Sequence, residues 1–237
     1  MPRPTVVLVH GAFADATGWM GVIDDLQRAG VTVVAPPNPL RGLALDAAYV
    51  ASVAAQIHGP VLLVGHSYGG ALITVAGTVE NVVGLVYIAA FIPEEGESLG
   101  ELQDRFAASA LADHLRQWTY PTTDGTTATE VTITQEAFAS VFAADVSDSV
   151  TRVLATTQRP IALAAFTEKA AAAAWKTKPS WALIAGADRA INPDVERFGA
   201  GRAAANMTEI DGASHAVALS QPKAVAQVIL DAVHALA

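Results

Sequence analysis

Short runs of aliphatic and β-branched residues without polar alternation recur along the chain, at residues 5–10, 31–35, 61–65, 84–90, 181–185 and, less regularly, 207–210. A strand with one wet face alternates polar and apolar side chains, whereas unbroken apolar runs of this length suit strands covered on both faces, as in a parallel sheet. Helical spacing fills the intervals. Trp19, Val22, Ile23 and Leu26 fall on one stripe, and Gly30 follows where a left-handed C-cap favours a residue without Cβ. Residues 47–57 and 67–77 read likewise, and residues 223–236 form a closing amphipathic helix behind Pro222. Strands alternating with helices predict a doubly wound α/β fold around a mostly parallel sheet.

The alternation stops near Pro93 and resumes near Pro179. Between them, the Asp-Gly pair of "TTDGTT" flanked by threonine-rich segments predicts a small hairpin, followed by helices near residues 136–143 and 149–157. The chain is therefore expected to comprise a core of residues 1–92 and 179–237 with an inserted cap, or lid, of residues 93–178. The tract "EKAAAAAWK" reads simply as a good helix former. Gly199 and Gly201 resemble half a dinucleotide fingerprint, but they follow no strand and lie in a helical stretch, so helix packing is the expected role. "PPNP", residues 36–39, can continue neither sheet nor helix and reads as a loop at the rim of a site.

Composition narrows the function classes. A chain of 237 residues, 52% of them hydrophobic, can bury the core of one α/β domain with an insertion. A formal net charge of -9 repels phosphate backbones and anionic lipid, so neither nucleic acid nor a membrane surface is an expected partner. There is no cysteine, and the six histidines lack metal-ligand spacing, which argues against thiol chemistry and zinc. The N-terminal run is too short and lacks the flanks of a signal peptide, and no apolar stretch approaches 18 residues. A cytoplasmic location is expected, and a homodimer is left open.

Gly65-His66-Ser67-Tyr68-Gly69 fits G-x-S-x-G in the required context, with an apolar strand before it and a small-residue helix start after it. In such a turn the serine backbone is strained, its hydroxyl stands clear of the sheet, and the glycines let strand and helix pass closely. Ser67 is thus a candidate nucleophile. A serine hydroxyl needs a base, and the base needs an acid to fix its tautomer, in the chain order serine, acid, histidine. His215 lies in a Gly- and Ser-containing loop after the last strand, whereas His234 falls inside the closing helix. Asp188 follows the strand ending at Ala185 and is the favoured acid, with Asp194 and Asp211 left as alternatives. The oxyanion donors are expected from the backbone amides of Tyr68 and of Ala12, in the loop "HGAF" after the first strand. His10 and His66 then fall to supporting roles. Phe13, Phe91, Trp118 and Phe166 are candidate pocket walls.

The segments "VVLVHGAFADATGW", "GHSYGGALI", "ADRAINP" and "GASHAVALSQP" resemble the α/β-hydrolase superfamily, and the first two are especially similar to small bacterial esterases and to the plant methylesterase and hydroxynitrile lyase branch. The resemblance covers nearly the whole chain. It implies Ser67, Asp188 and His215 as a triad, the amides of Ala12 and Tyr68 as oxyanion hole, a cap where residues 93–178 lie, and six core strands. It implies no cofactor. The plant lyases carry a threonine where this chain has Ala12, which makes cyanohydrin cleavage a weaker expectation than hydrolysis. The reading is a serine hydrolase of small, uncharged carboxylic esters. Carbon-carbon bond hydrolysis, hydroxynitrile lyase or cofactor-free perhydrolase chemistry, and a non-catalytic binding module, remain as alternatives. Arg105, Arg116 and Arg152 lie in the lid and are expected at solvated positions.

Overall fold

In the computed structural model, which describes residues 2–237, the chain begins with β1 (Thr5–Val9), α1 (Met20–Arg28), β2 (Val33–Val34), α2 (Leu43–Ala55), β3 (Val61–His66), α3 (Tyr68–Ala76) and β4 (Val82–Ile88). Then follow α4 (Leu99–Gln103), β5 (Leu115–Pro121), β6 (Thr127–Ile133), α5 (Gln135–Phe142), α6 (Asp148–Thr157) and β7 (Ile161–Ala162). The chain closes with β8 (Ser180–Ala185), α7 (Pro193–Arg202), β9 (Asn206–Ile210), α8 (Val217–Ser220) and α9 (Pro222–Ala235). The main sheet has six strands in the order β2-β1-β3-β4-β8-β9, and every pairing in it is parallel.

The unbroken apolar runs explain this arrangement. Successive residues of a strand point to opposite faces, so a run such as Val6-Val7-Leu8-Val9 supplies both faces at once. Val6 and Leu8 join Leu62, Val64, Val86 and Ile88 under Val22 and Leu26 of α1 and Val225 and Ile229 of α9. Val7 and Val9 join Leu63 and Leu85 on the other face, under Val50 of α2 and Leu72 of α3. Each such aliphatic side chain, fully withdrawn from water, contributes about 1.5–3 kcal/mol before entropic losses. Gly30 ends α1 as expected: at φ 74° its N–H bonds the Gln27 carbonyl and the Val31 N–H bonds that of Leu26, the paired bonds of a Schellman cap.

Two sequence expectations are corrected. The run at 31–35 yields only the two-residue edge strand β2, because Pro36 and Pro37 follow at once and cannot donate to a ladder. The alanine tract is irregular apart from one 3-10 turn at Ala174–Lys176. Its first part is held extended, with the Ala170 N–H on the Glu97 carbonyl and the Gly96 N–H on the Ala170 carbonyl. A helix of a few alanines is marginal alone, so two tertiary backbone bonds outweigh its propensity.

Between β4 and β8, β5 and β6 form the expected antiparallel hairpin across Gly125, and β7 adds a third strand. Val131, Ile133, Phe138 and Phe142 from this segment share one apolar cluster with Tyr68 and Leu72 beside the main sheet. The insertion therefore lies against the strand ends where α3 begins. Among the described residues no helix is long and apolar enough to cross a membrane.

Candidate active site

β3 ends at His66 and α3 starts at Tyr68, which leaves Ser67 alone in the turn, at φ 56° and ψ -122°. The glycines around it are sterically required. A methyl group on Gly65 would lie 2.4 Å from the Gly69 carbonyl oxygen, one on Gly69 would lie 2.4 Å from that of Val9, and one on Gly70 would lie 2.5 Å from that of Phe91. Helix and strand can pass this closely only without Cβ atoms. Ser67 is 6% exposed, and among the described residues its hydroxyl has no hydrogen-bond partner, so its side chain caps nothing.

Asp188 sits in the turn after β8, at the carboxyl end of the sheet. Its Oδ1 accepts the N–H groups of Ala190 at 2.7 Å and Ile191 at 2.9 Å, and its Oδ2 accepts Nδ1–H of His215. The two amides fix the carboxylate, and the carboxylate fixes the imidazole with Nε2 free to act as a base. Both residues are buried. Of the three acids that sequence left open, only Asp188 meets His215. Asp194 is exposed and paired with Arg197 at 2.7 Å, and Asp211 is exposed in the turn after β9.

His215 is tied to the elbow through His66. Its carbonyl accepts Nε2–H of His66 at 2.9 Å, and the two rings stand 4.7 Å apart. His66 immediately precedes Ser67, so this contact ties the base loop to the elbow. Burial first, and the nearby His215 second, lower the His66 pKa to about 3, which keeps it a neutral donor. His10 also has a structural role: Nδ1–H donates to the Gly11 carbonyl and Nε2 accepts the Asn38 N–H, both at 2.9 Å. That second bond holds the "PPNP" loop against the first-strand loop.

The first-strand loop crosses directly over the elbow. A methyl group on Gly11 would lie 2.7 Å from Ser67 Cβ and 3.2 Å from its Oγ. Among the described residues, the Ala12 and Tyr68 amides have no backbone acceptor. They are free donors next to Ser67. The Tyr68 hydroxyl points the other way and donates to buried Asp46 at 2.9 Å. Burial, followed by the Asp46 charge, raises the Tyr68 pKa far above the usual phenol range.

The four aromatic residues divide. Phe13, at φ 62°, lines a cavity of about 30 Å³ with Phe138 and Phe142. Phe91 is buried beside the elbow, its N–H on the Ser67 carbonyl at 3.3 Å. Trp118 is not brought there. It stands on the edge strand β5, 44% exposed, beneath the Arg116 guanidinium at 4.1 Å, in a groove lined by none of Ser67, Asp188 and His215. Phe166 is half-buried in a 3-10 turn, packed against the apolar cluster that holds Phe13, Tyr68 and Phe91, and its carbonyl approaches Gly100 of α4. The place of Trp118 depended on how the insertion folds back, which its local pattern does not encode.

Other neighbours were not singled out from sequence. The Phe142 ring meets the His215 ring edge-on at 4.9 Å, and its carbonyl accepts the Ala216 N–H at 2.9 Å. Asp145 accepts the Ser214 N–H at 3.2 Å and the Ser214 hydroxyl. Of the three arginines expected at solvated positions, Arg105 pairs with Glu97, Arg116 covers Trp118, and Arg152 is exposed. Arg159 instead reaches His10 Nε2 at 3.3 Å. Glu196 of α7 is 1% exposed and accepts the Ala185 N–H at 3.0 Å. The apolar spacing of α5 was the one available signal for Phe142.

The chain is 32% identical over 109 residues to a carbendazim hydrolyzing esterase of Nocardioides sp. (strain SG-4G), an alignment covering 39% of this chain and 44% of that protein. It is 34% identical over 114 residues to the probable hydrolase R7 of Phoma sp. (strain ATCC 20986 / MF5453), covering 41% of this chain and 47% of that one. The aligned region thus spans less than half the length of either relative. Among solved structures, polyneuridine aldehyde esterase superposes with a TM-score of 0.83 at 21% identity, over 97% of this chain and 99% of that one. A methylesterase from Arabidopsis gives 0.80 at 18% identity, over 98% and 100%. These two likenesses show a shared fold, and because the sequence pattern of the alpha/beta hydrolase family matches residues 6–228, the chain belongs to that family.

Proposed function

We propose that the protein is a serine esterase that cleaves small, uncharged carboxylic esters through an acyl-enzyme. His215 Nε2 takes the Ser67 proton as Oγ attacks the carbonyl, and Asp188 stabilises the imidazolium that forms. The amides of Ala12 and Tyr68 receive the oxyanion, His215 returns the proton to the leaving alcohol, and a water activated by the same imidazole releases the acid. Residues 93–178 act as the cap. The observation that carries this reading is the buried Asp188–His215 pair, tied through His66 to the turn of a strained serine that the first-strand loop crosses closely. The relatives and solved structures named as esterases agree with it in reaction class.

The cavities beside the cleft are about 30 Å³ each, room for one or two waters. An ester therefore enters only when Phe142 and the cap shift. The negative chain and the apolar surroundings of Phe13 and Phe142 favour neutral substrates, because an unpaired ion is costly to bury there. Burst kinetics on a panel of activated esters test the proposal: wild type should release one equivalent of alcohol before its steady state, and Ser67→Ala should lose the burst. Neutral esters should exceed matched anionic ones at least about tenfold in kcat/KM, about 1.4 kcal/mol. Equal turnover of the anionic ester, abolished by Arg159→Ala, would show that the pocket is cationic instead.

A further inference from the structure

Glu196 occupies the first turn of α7, fully inside the protein, and the proposed mechanism gives it no part. Its Oε2 accepts the Ala185 N–H at 3.0 Å. Its Oε1 is buried and meets no N–H or O–H donor. Ala185 also receives Asp188, whose N–H bonds the Ala185 carbonyl at 3.0 Å. The two acids are thus anchored to the same residue at the end of β8, both are buried, and the Asp188 charge acts on Glu196. Two neighbouring carboxylates, away from water, do not both ionise.

The hydrogen bonds decide which of them keeps the proton. Asp188 accepts three donors, from Ala190, Ile191 and His215. Glu196 accepts one. An anion is stabilised where donors converge on it, so the negative charge belongs on Asp188. A proton on Glu196 Oε1, donated to the remaining lone-pair site of Asp188, would supply the partner that this buried oxygen lacks. Burial first, and the Asp188 charge second, raise the Glu196 pKa well above the usual carboxylate range. The titratable or charged groups facing it are Asp188, His215 beyond Asp188, and Arg197 on its own helix. Arg197 opposes the shift, but it is already engaged by Glu209 and Asp194 at the surface.

We propose that Glu196 is a neutral carboxylic acid that donates a hydrogen bond to Asp188, making it a positioning residue for the Asp188–His215 pair. Asp188 is then held by four donors, so neither its rotation nor its protonation competes with orienting His215. This inference rests on the proposed esterase reading for its activity measurement only.

The test compares the folded wild-type chain with Glu196→Gln, whose amide can keep the Ala185 bond and still donate to Asp188. A carboxyl that stays protonated when folded, but ionises when unfolded, costs stability as pH rises above the unfolded value. The folding constant of Glu196→Gln should therefore gain on that of wild type by up to about tenfold per pH unit between pH 5 and 7, with no gap at pH 4. The histidines are common to both chains and cancel. A gap that stays flat with pH would overturn the proposal, and this measurement needs no enzymatic activity. On ester substrate, the acid limb of kcat/KM should coincide in wild type and Glu196→Gln. A limb lowered by about one unit in Glu196→Gln would mean that a negative charge had been removed, and would also overturn it. Glu196→Leu, lacking the donor, should raise the limb and lower kcat at nearly constant KM; an unmoved limb in a folded Glu196→Leu would count against the positioning role. An inactive wild type with the expected pH-dependent stability gap would sink the esterase reading and leave the neutral acid standing.

Discussion

Replacing Ser67 by glycine should make the protein more stable while abolishing turnover. Ser67 holds φ 56° and ψ -122°, a region open to glycine and sparse for any residue with a Cβ, where strain is of order 1–3 kcal/mol. Glycine relieves that strain but loses about 0.5–1 kcal/mol of extra unfolded-state freedom. No cap bond is forfeited, because the Ser67 side chain makes none. The net gain is about 1 kcal/mol, or ~2–4 °C in Tm for a chain of this size. Ser67→Ala is the informative partner, since it keeps the Cβ and hence the strain. Elsewhere in a helix or strand alanine exceeds glycine by up to about 1 kcal/mol; here the order should invert. Thermal unfolding followed by circular dichroism, with urea titration as a second measure, would check it. Finding Ser67→Ala as stable as Ser67→Gly, or more so, would refute the claim that the elbow stores strain.

Asp188→Asn should keep the fold while favouring the wrong imidazole tautomer, lowering kcat by a factor on the order of 10² to 10⁴. Asp194→Asn and Asp211→Asn should change it little; steady-state kinetics of the three variants decide the matter, and a large loss at either control would displace Asp188. His66, with its pKa lowered to about 3, refuses a proton that the unfolded chain accepts below about 6.5. Its contribution is fully present above that pH and is lost as pH falls toward 3, by about 1.4 kcal/mol per unit. His66→Gln, still a donor for the His215 carbonyl, should flatten the decline of the urea midpoint between pH 6 and 4.5, and an unchanged slope would contradict the neutral His66.

What sequence made legible follows from how local each feature is. The strands β1, β3, β4 and β8 are buried on both faces, so their unbroken apolar runs carry the whole signal. β2 shrank because prolines cut it short, and the alanine tract lost its helix to two backbone bonds with residues 96 and 97. Ser67 was legible because strand, glycines and helix start are contiguous. Asp188 needed the fold, since only the turn geometry after β8 separates it from Asp194 and Asp211. Trp118 was misplaced, and Phe142, Arg159 and Glu196 overlooked, for one reason. Their surroundings are set by how the insertion and α7 pack across the sheet ends, which no periodicity in their own segments records.

The central claim is that Ser67 is the nucleophile. Intact-protein and peptide mass spectrometry after treatment with a p-nitrophenyl phosphonate ester tests it most directly, because the phosphonyl group stays on the attacking oxygen. The account predicts a single adduct on the peptide containing Ser67, absent in Ser67→Ala and slow to form in Asp188→Asn. Ester hydrolysis that persists with Ser67 unlabelled, or an adduct on another residue that inactivates the protein, would contradict it.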